Sequence, residues 1–111
     1  MYKIVTSPIF KLCLKRLVHF LTVKYSSNLA LEAKQAIKNS ILKNLASNPY
    51  IAPISDRLID IGINDYRQFS IDKHNIVFYR IDESKKQVVL LVVMDSRQSI
   101  QKLLSEIILL S

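Results

Sequence analysis

The stretch that decides the fold runs from Tyr66 to Leu104 and reads YRQFSIDKHNIVFYRIDESKKQVVLLVVMDSRQSIQKLL. It contains three runs rich in β-branched and aromatic residues, and short polar segments separate them. Such runs with tight polar joins are typical of antiparallel strands linked by hairpins. We therefore predict strands over Tyr66–Ile71, Asn75–Ile81 and Gln87–Asp95. The third run is apolar at nearly every position, which predicts an inner strand covered on both faces.

The end of this stretch predicts a helix, and the N-terminal residues predict a strand followed by helices. Ile100, Leu103, Leu104 and Ile107 recur at helical spacing from about Ser99 onward. Near the N-terminus, Tyr2–Thr6 alternates apolar and polar residues and predicts a short strand. Ser7 and Pro8 then suit the N-cap and first position of a helix, because proline lacks an N–H that would have no partner there.

A second helix follows a turn at Tyr25–Asn28. Asn48-Pro49 should end it, because the residue before proline disfavours the α region. Its apolar stripe consists of Ala30, Ala33, Ile37, Ile41 and Leu45. The two helices therefore form a predicted antiparallel hairpin. A connector over residues 50–65 is too apolar for a free linker, so we expect it to pack down, with some strand structure possible in it.

The predicted order is strand, helix, helix, three strands, helix. This order favours an α+β fold in which an N-terminal strand and a helical hairpin pack on an antiparallel sheet, with a C-terminal helix. We expect one domain over residues 1–111. The predicted core contains Phe10, Leu14, Leu17, Ile37, Ile41, Val77, Tyr79, Val89 and Leu91.

Composition limits the classes of function. Half of the 111 residues are hydrophobic, and 16 Lys and Arg against 9 Asp and Glu give a net charge of +7. This charge favours an acidic protein partner, nucleic acid or an anionic surface. The lone Cys13 cannot form an internal disulfide and lies in an apolar helical pattern, which indicates a buried, inert thiol and fits the cytoplasm. The longest apolar run, Val88–Met94, is far too short to span a membrane.

Arginines mark the three predicted strands: Arg67, Arg80 and Arg97. The run IVFYRID, an apolar strand, and an arginine two residues after Asp95 resemble the ParE branch of the RelE/ParE family of bacterial toxins. The element order, the Ser7-Pro8 helix start and Asn48-Pro49 extend the resemblance over almost the whole chain. Many members have histidine where Asp95 stands, so one signature position differs.

The resemblance implies the toxin of a type II toxin–antitoxin system, neutralised by an acidic antitoxin and reaching operator DNA only through that antitoxin. ParE-type members poison DNA gyrase, and such a function needs no catalytic group on the toxin. Under this interpretation Arg67, Arg80, Arg97 and Lys73 would contact the target. The alternative for the arginines is structural: Arg80 would pair with Asp82, and Arg67 with Asp65.

Two other functions remain open. RelE-type members cleave mRNA on the ribosome, and here Arg67, Arg80, Arg97 and His74 would carry that chemistry. No tyrosine follows Arg97 to act as an acid, however, and the last tyrosine is Tyr79. The third possibility is an inactive module that only binds an antitoxin. With a single glycine there is no phosphate-binding glycine loop, and the histidines and Cys13 lack metal-site spacing, so we expect no cofactor and no metal.

Overall fold

The computed structural model of the protein describes residues 1–96 and 99–110, with side chains described as far as residue 106. In these described residues, four strands and four α-helices follow one another in the order that the sequence predicts, apart from an additional short helix, α3. Their bounds are β1 Lys3–Thr6, α1 Pro8–Lys24, α2 Ser27–Asn44, α3 Asp56–Ile59, β2 Arg67–Ser70, β3 Asn75–Asp82, β4 Gln87–Asp95 and α4 Ile100–Leu110. Within these ranges, no helix is long and apolar enough to cross a membrane.

Serine caps begin both helices of the hairpin. The Ser7 hydroxyl accepts a hydrogen bond from the Phe10 amide at 3.0 Å, as the Ser7-Pro8 motif predicts. The Ser26 hydroxyl accepts one from the Leu29 amide at 3.1 Å, so α2 begins inside the segment predicted as a turn. Each cap satisfies an amide that has no partner within its helix.

The predicted end of α2 at Asn48-Pro49 is wrong. The helix stops at Asn44, and the chain turns through residues 45–47 before a 3-10 turn at Pro49–Ile51. Within this turn the Ala46 carbonyl accepts a hydrogen bond from the Tyr2 amide at 2.9 Å. This bond ties the end of the hairpin to the residue that precedes β1.

The sheet has the order β1-β4-β3-β2, in which β1 runs parallel to β4 and the other neighbours are antiparallel. The prediction that Gln87–Asp95 is an inner strand is confirmed. The connector packs down as expected, because Leu58 of α3 is fully buried and Ile54 forms a bridge with Arg67. The α+β fold with a hairpin, an almost wholly antiparallel sheet and a C-terminal helix is therefore confirmed.

Alternation along β4 decides which side chains of its first half enter the core, and a β-bulge interrupts its pairing with β3. Phe78 pairs with Val92 and Tyr79 with Leu90, so Leu91 has no partner on β3. Side chains alternate between the two faces of a strand, and β4 follows that alternation from Val88 to Val92. Val88, Leu90 and Val92 are consequently buried, whereas Val89 and Leu91, two predicted core residues, are only partly buried.

The core lies between the hairpin, the connector and the sheet. Five of the predicted core residues are buried: Phe10, Ile37, Ile41, Val77 and Tyr79. Leu14 and Leu17 are partly buried and pack against this cluster from α1. Cys13 is buried as predicted, and this burial raises the pKa of its thiol to about 11, which keeps it protonated and unreactive near neutral pH.

Candidate interaction surface

Arg67 is engaged with the connector. Its Nη1 donates to the Ala52 carbonyl at 2.6 Å, and its guanidinium lies 5.0 Å from the centroid of the Tyr50 ring. A hydrogen bond together with a cation–π contact holds a half-buried arginine in place. These contacts fit the structural alternative for Arg67, although the partners are a carbonyl and an aromatic ring and not the predicted Asp65.

Arg80 and Arg67 lie on opposite faces of the sheet. Arg67 pairs directly with Tyr79, and directly paired residues point to the same face, whereas Arg80 is the next residue along β3. Arg80 is half-buried opposite Val89. The pKa of the nearby Asp82 carboxyl is lowered chiefly by a hydrogen bond from Ser84, and the Arg80 charge contributes least.

His74 and Lys73 lie in the exposed turn between β2 and β3. The Asp72 carboxylate accepts the His74 and Asn75 amides at 2.8 Å each. Although burial raises the pKa of Asp72, these hydrogen bonds hold it below the usual value. The His74 carbonyl in turn accepts the Ser96 amide at 2.6 Å. Arg97, the remaining predicted site residue, lies outside the described residues.

The described members of the predicted ribonuclease set are therefore dispersed. Arg67 and Arg80 occupy different faces, and His74 lies at the far end of β3 from Arg80. Tyr79 offers no alternative acid, because it is fully buried and its hydroxyl donates to the Pro49 carbonyl at 2.5 Å. Burial raises the pKa of Tyr79 to about 12.

A polar cluster that the sequence did not predict lies near Arg67, and we call it the Glu83 cluster: Tyr2, Tyr50, Glu83 and Lys86. The Tyr2 hydroxyl donates to Glu83 Oε1 at 2.8 Å, and the Tyr50 hydroxyl donates to Oε2. Lys86 Nζ lies 2.9 Å from Oε1 and 5.3 Å from the centre of the Tyr2 ring. Parallel pairing of β1 with β4 brings Tyr2 here, and sequence spacing alone does not reveal that pairing.

The Glu83 cluster is poorly suited to acid–base catalysis. The Tyr50 hydroxyl and Lys86 lower the pKa of Glu83 to about 2, and the Glu83 carboxylate raises the pKa of Tyr50 to about 12. An effective general acid or base has a pKa near the working pH. The cluster instead joins the N-terminal strand, the connector and the β3–β4 turn.

A different surface surrounds the middle and end of α1. One hollow of about 640 Å³ lies between α1, the start of α2, the start of β3 and the end of β4. Its lining includes Leu17, Leu21, Leu29, His74, Val93 and Leu103. A second, more open hollow of about 970 Å³ on the other side of α1 is lined by Leu12, Lys15, His19 and Val23. Arg16, Phe20 and Lys24 line both.

These three shared residues form a ridge, because they recur every four residues along α1. We call the ridge with its two hollows the α1 groove. The Phe20 side chain is 52% exposed and that of Val23 is 72% exposed. The Lys24 ammonium lies 5.3 Å from the centroid of the Phe20 ring and 5.6 Å from that of Tyr25. Exposed apolar side chains are thus interleaved with positive charges.

Arg16 is incompletely paired. Its Nη2 forms an ion pair with Glu106 of α4 at 2.9 Å, and both side chains are about two-fifths exposed. Its Nη1 is buried and has no hydrogen-bond partner among the described residues. Of the predicted site residues that the structure describes, His74 is the one that lines this groove. The sequence showed the basic residues of α1, but not which of its faces stays uncovered.

The described residues contain no group of three or more His, Cys, Asp or Glu side chains that could hold a metal ion. No protein-family model matches the sequence, and no significant relative is found among curated proteins. A solved chain of the chromosomal ParDE toxin–antitoxin system of P. aeruginosa superposes with a TM-score of 0.68 and 15% identity, covering 86% of this chain and 96% of that one. This protein has a RelE/ParE-like fold.

A second solved structure supports the same fold. The metal-bound toxin of Helicobacter pylori superposes on this chain with a TM-score of 0.54 at 23% identity. The superposition covers 86% of this chain and 96% of the H. pylori chain. The RelE/ParE-like fold therefore extends over most of the chain, as the element order in the sequence predicted.

Proposed function

We propose that this protein is the toxin of a type II toxin–antitoxin system and that it acts as ParE toxins do, by binding DNA gyrase. The observation that carries the proposal is the dispersal of the charged residues on a ParE-type fold. Arg67 is held by Ala52 and Tyr50, and Arg80 points to the other face of the sheet. A toxin that traps another enzyme needs a binding surface and no assembled acid–base site.

The α1 groove supplies a surface that an antitoxin would cover. Its exposed apolar side chains favour a partner that buries them, and its positive charges favour an acidic partner. A flexible acidic segment that folds on binding suits such a surface. The similar ParDE chain comes from a toxin–antitoxin system, which supports a partner of this kind here.

Expression in cells without antitoxin tests this function. A gyrase poison should cause filamentation and a DNA-damage response while translation continues. Rapid arrest of translation with cleavage of ribosome-bound mRNA would instead favour the ribonuclease alternative. Normal growth at a matched expression level would leave only the inactive antitoxin-binding module, and co-expression of the product of a neighbouring acidic open reading frame is the control for neutralisation.

The charge of the protein makes a kinetic prediction for the same complex. A net charge of +7 should accelerate association with an acidic antitoxin, so the association rate constant should fall as salt rises. Stopped-flow measurements at several salt concentrations would show this slope. An association rate that does not depend on salt would contradict the electrostatic part of the proposal.

A further inference from the structure

The α1 groove contains a cation whose hydrogen-bonding capacity is only partly used. A guanidinium can donate five hydrogen bonds in a planar fork that matches a carboxylate. Arg16 directs Nη2 to Glu106, while Nη1 is buried without an acceptor among the described residues. A buried donor without a partner is costly, so an acceptor that reaches Nη1 is favoured.

We propose that Arg16 receives a carboxylate from an acidic amphipathic helix of the antitoxin, whose apolar face lies against Phe20 in the α1 groove. This inference rests on the proposed function, because it names the contact by which the antitoxin would bind. The Arg16 side chain is about two-fifths exposed, so a rotation that frees Nη1 would let both Nη atoms meet one incoming carboxylate, and Glu106 is then the intramolecular competitor for this cation.

The surroundings of Arg16 define what its partner must look like. Phe20 and Lys24 follow it at one and two helical turns, so an apolar position and a second cation lie beyond it in line. A partner helix would present a carboxylate, an apolar side chain and a further carboxylate along its length. This pattern favours an acidic helix over an anionic membrane surface, because a membrane surface has no apolar group held at a fixed spacing between two negative charges.

A peptide probe tests this contact without an identified antitoxin. The probe is a fluorescein-labelled amphipathic helical peptide with a leucine face, on which two glutamates flank one leucine at the spacing of Arg16, Phe20 and Lys24, and a second peptide has glutamine in place of each glutamate. Fluorescence anisotropy would measure the binding of both peptides to the full chain. We expect Arg16→Gln to weaken binding of the glutamate peptide roughly 10- to 100-fold, as for the loss of a hydrogen bond to a charged group. Binding of the glutamine peptide should change little.

Two control variants separate recognition from structure. Lys11→Gln removes one charge from an exposed position of the same helix. It should weaken binding of the glutamate peptide far less than Arg16→Gln does. Glu106→Gln removes the intramolecular competitor but keeps the guanidinium, so it should leave binding unchanged or strengthen it up to about fivefold, the worth of an exposed ion pair. If Arg16 served only to hold α4, Glu106→Gln and Arg16→Gln would act alike.

Several results would overturn the proposal: equal losses for Lys11→Gln and Arg16→Gln, weaker binding in Glu106→Gln, or no binding of the glutamate peptide to the wild type. Self-association that buries the groove, detected by sedimentation velocity and abolished by Arg16→Gln, would assign it to a second copy of the chain. Tighter binding to anionic vesicles than to the peptide would assign it to a membrane surface. Because none of these assays measures toxicity, a non-toxic protein that still binds through Arg16 would refute the proposed function alone.

Discussion

The Glu83 cluster and the α1 groove both combine charged with apolar or aromatic side chains, yet they differ in how fully their polar groups are paired. Glu83 accepts hydrogen bonds from two tyrosines and pairs with Lys86, so its carboxylate is well satisfied. The α1 groove exposes Phe20 and Val23 and leaves Arg16 Nη1 without an acceptor. Completed polar networks fix a fold, whereas incomplete ones beside exposed apolar surface indicate binding.

Substitutions test this difference between the two regions. The largest effect on the free energy of unfolding should come from the core that supports both of them. Ile41 is buried beneath the hairpin, so Ile41→Ala should destabilise the protein by ~2–5 kcal/mol through lost contacts and a cavity. Urea denaturation would measure this change. Leu42, its neighbour, is 49% exposed, and Leu42→Ala should change stability by less than about 0.5 kcal/mol. Equal effects at both positions would contradict the packing of α2 on the sheet.

The second-largest effect on stability should come from Tyr79, which bonds to Pro49 next to Tyr50 of the Glu83 cluster and does not line the α1 groove. Tyr79→Phe removes the hydrogen bond to the Pro49 carbonyl and leaves a buried acceptor unsatisfied, which should cost ~1–3 kcal/mol. Tyr25→Phe, at an exposed site, is the matched control and should leave stability nearly unchanged. Peptide affinity at the α1 groove should not change in Tyr79→Phe, and a parallel loss of affinity would show that the two regions are not independent.

Phe20→Ala should lower peptide affinity and leave stability almost unchanged, which is the opposite of the pattern expected for Tyr79→Phe. Because Phe20 is half-exposed, its truncation should alter stability by less than about 0.5 kcal/mol, the usual level for surface substitutions. Affinity for the glutamate peptide should fall by about 1 kcal/mol or more if Phe20 is buried on binding. Leu31→Ala, at an exposed position of α2, should affect neither quantity. A large loss of stability in Phe20→Ala would place this residue in the core and not in a binding surface.

The smallest effect should be a pH dependence of the Glu83 cluster. The pKa of Glu83 is lowered from 4.5 to about 2, so its stabilisation is complete above 4.5 and disappears as pH falls through about 2. The pKa of Tyr50 is raised from 10.0 to about 12, so its contribution is complete below 10 and disappears as pH rises through about 12. The stability difference between wild type and Glu83→Gln should therefore be largest between these limits. A difference that grows on acidification would contradict the assignment.

The sequence revealed those features that depend on local chemistry. Ser7 and Pro8 mark the start of α1, and the apolar run Gln87–Asp95 marks an inner strand, because capping and continuous burial leave direct traces in the residues. It missed the end of α2, which stops at Asn44 and not at Asn48-Pro49, and it missed the contact between Tyr2 and Ala46 beyond that end. Contacts between distant segments leave no such local trace.

The candidate sites depended even more on long-range geometry. Arg67 and Arg80 both lie in predicted strands, but the register opposite Tyr79 places them on different faces. Tyr2 meets Glu83 across 81 positions of sequence, which only the pairing of β1 with β4 brings about. The basic residues of α1 were visible in the sequence, whereas the uncovered face that they share with Phe20 follows from packing against the sheet.

The most direct test of the central claim compares two assays on the same purified protein: gyrase supercoiling of plasmid DNA, and translation-coupled cleavage of ribosome-bound mRNA. The account predicts that the wild type inhibits gyrase and leaves mRNA intact, and that His74→Ala does the same. Cleavage of mRNA that is lost in His74→Ala, with gyrase unaffected, would contradict the account and establish the ribonuclease alternative.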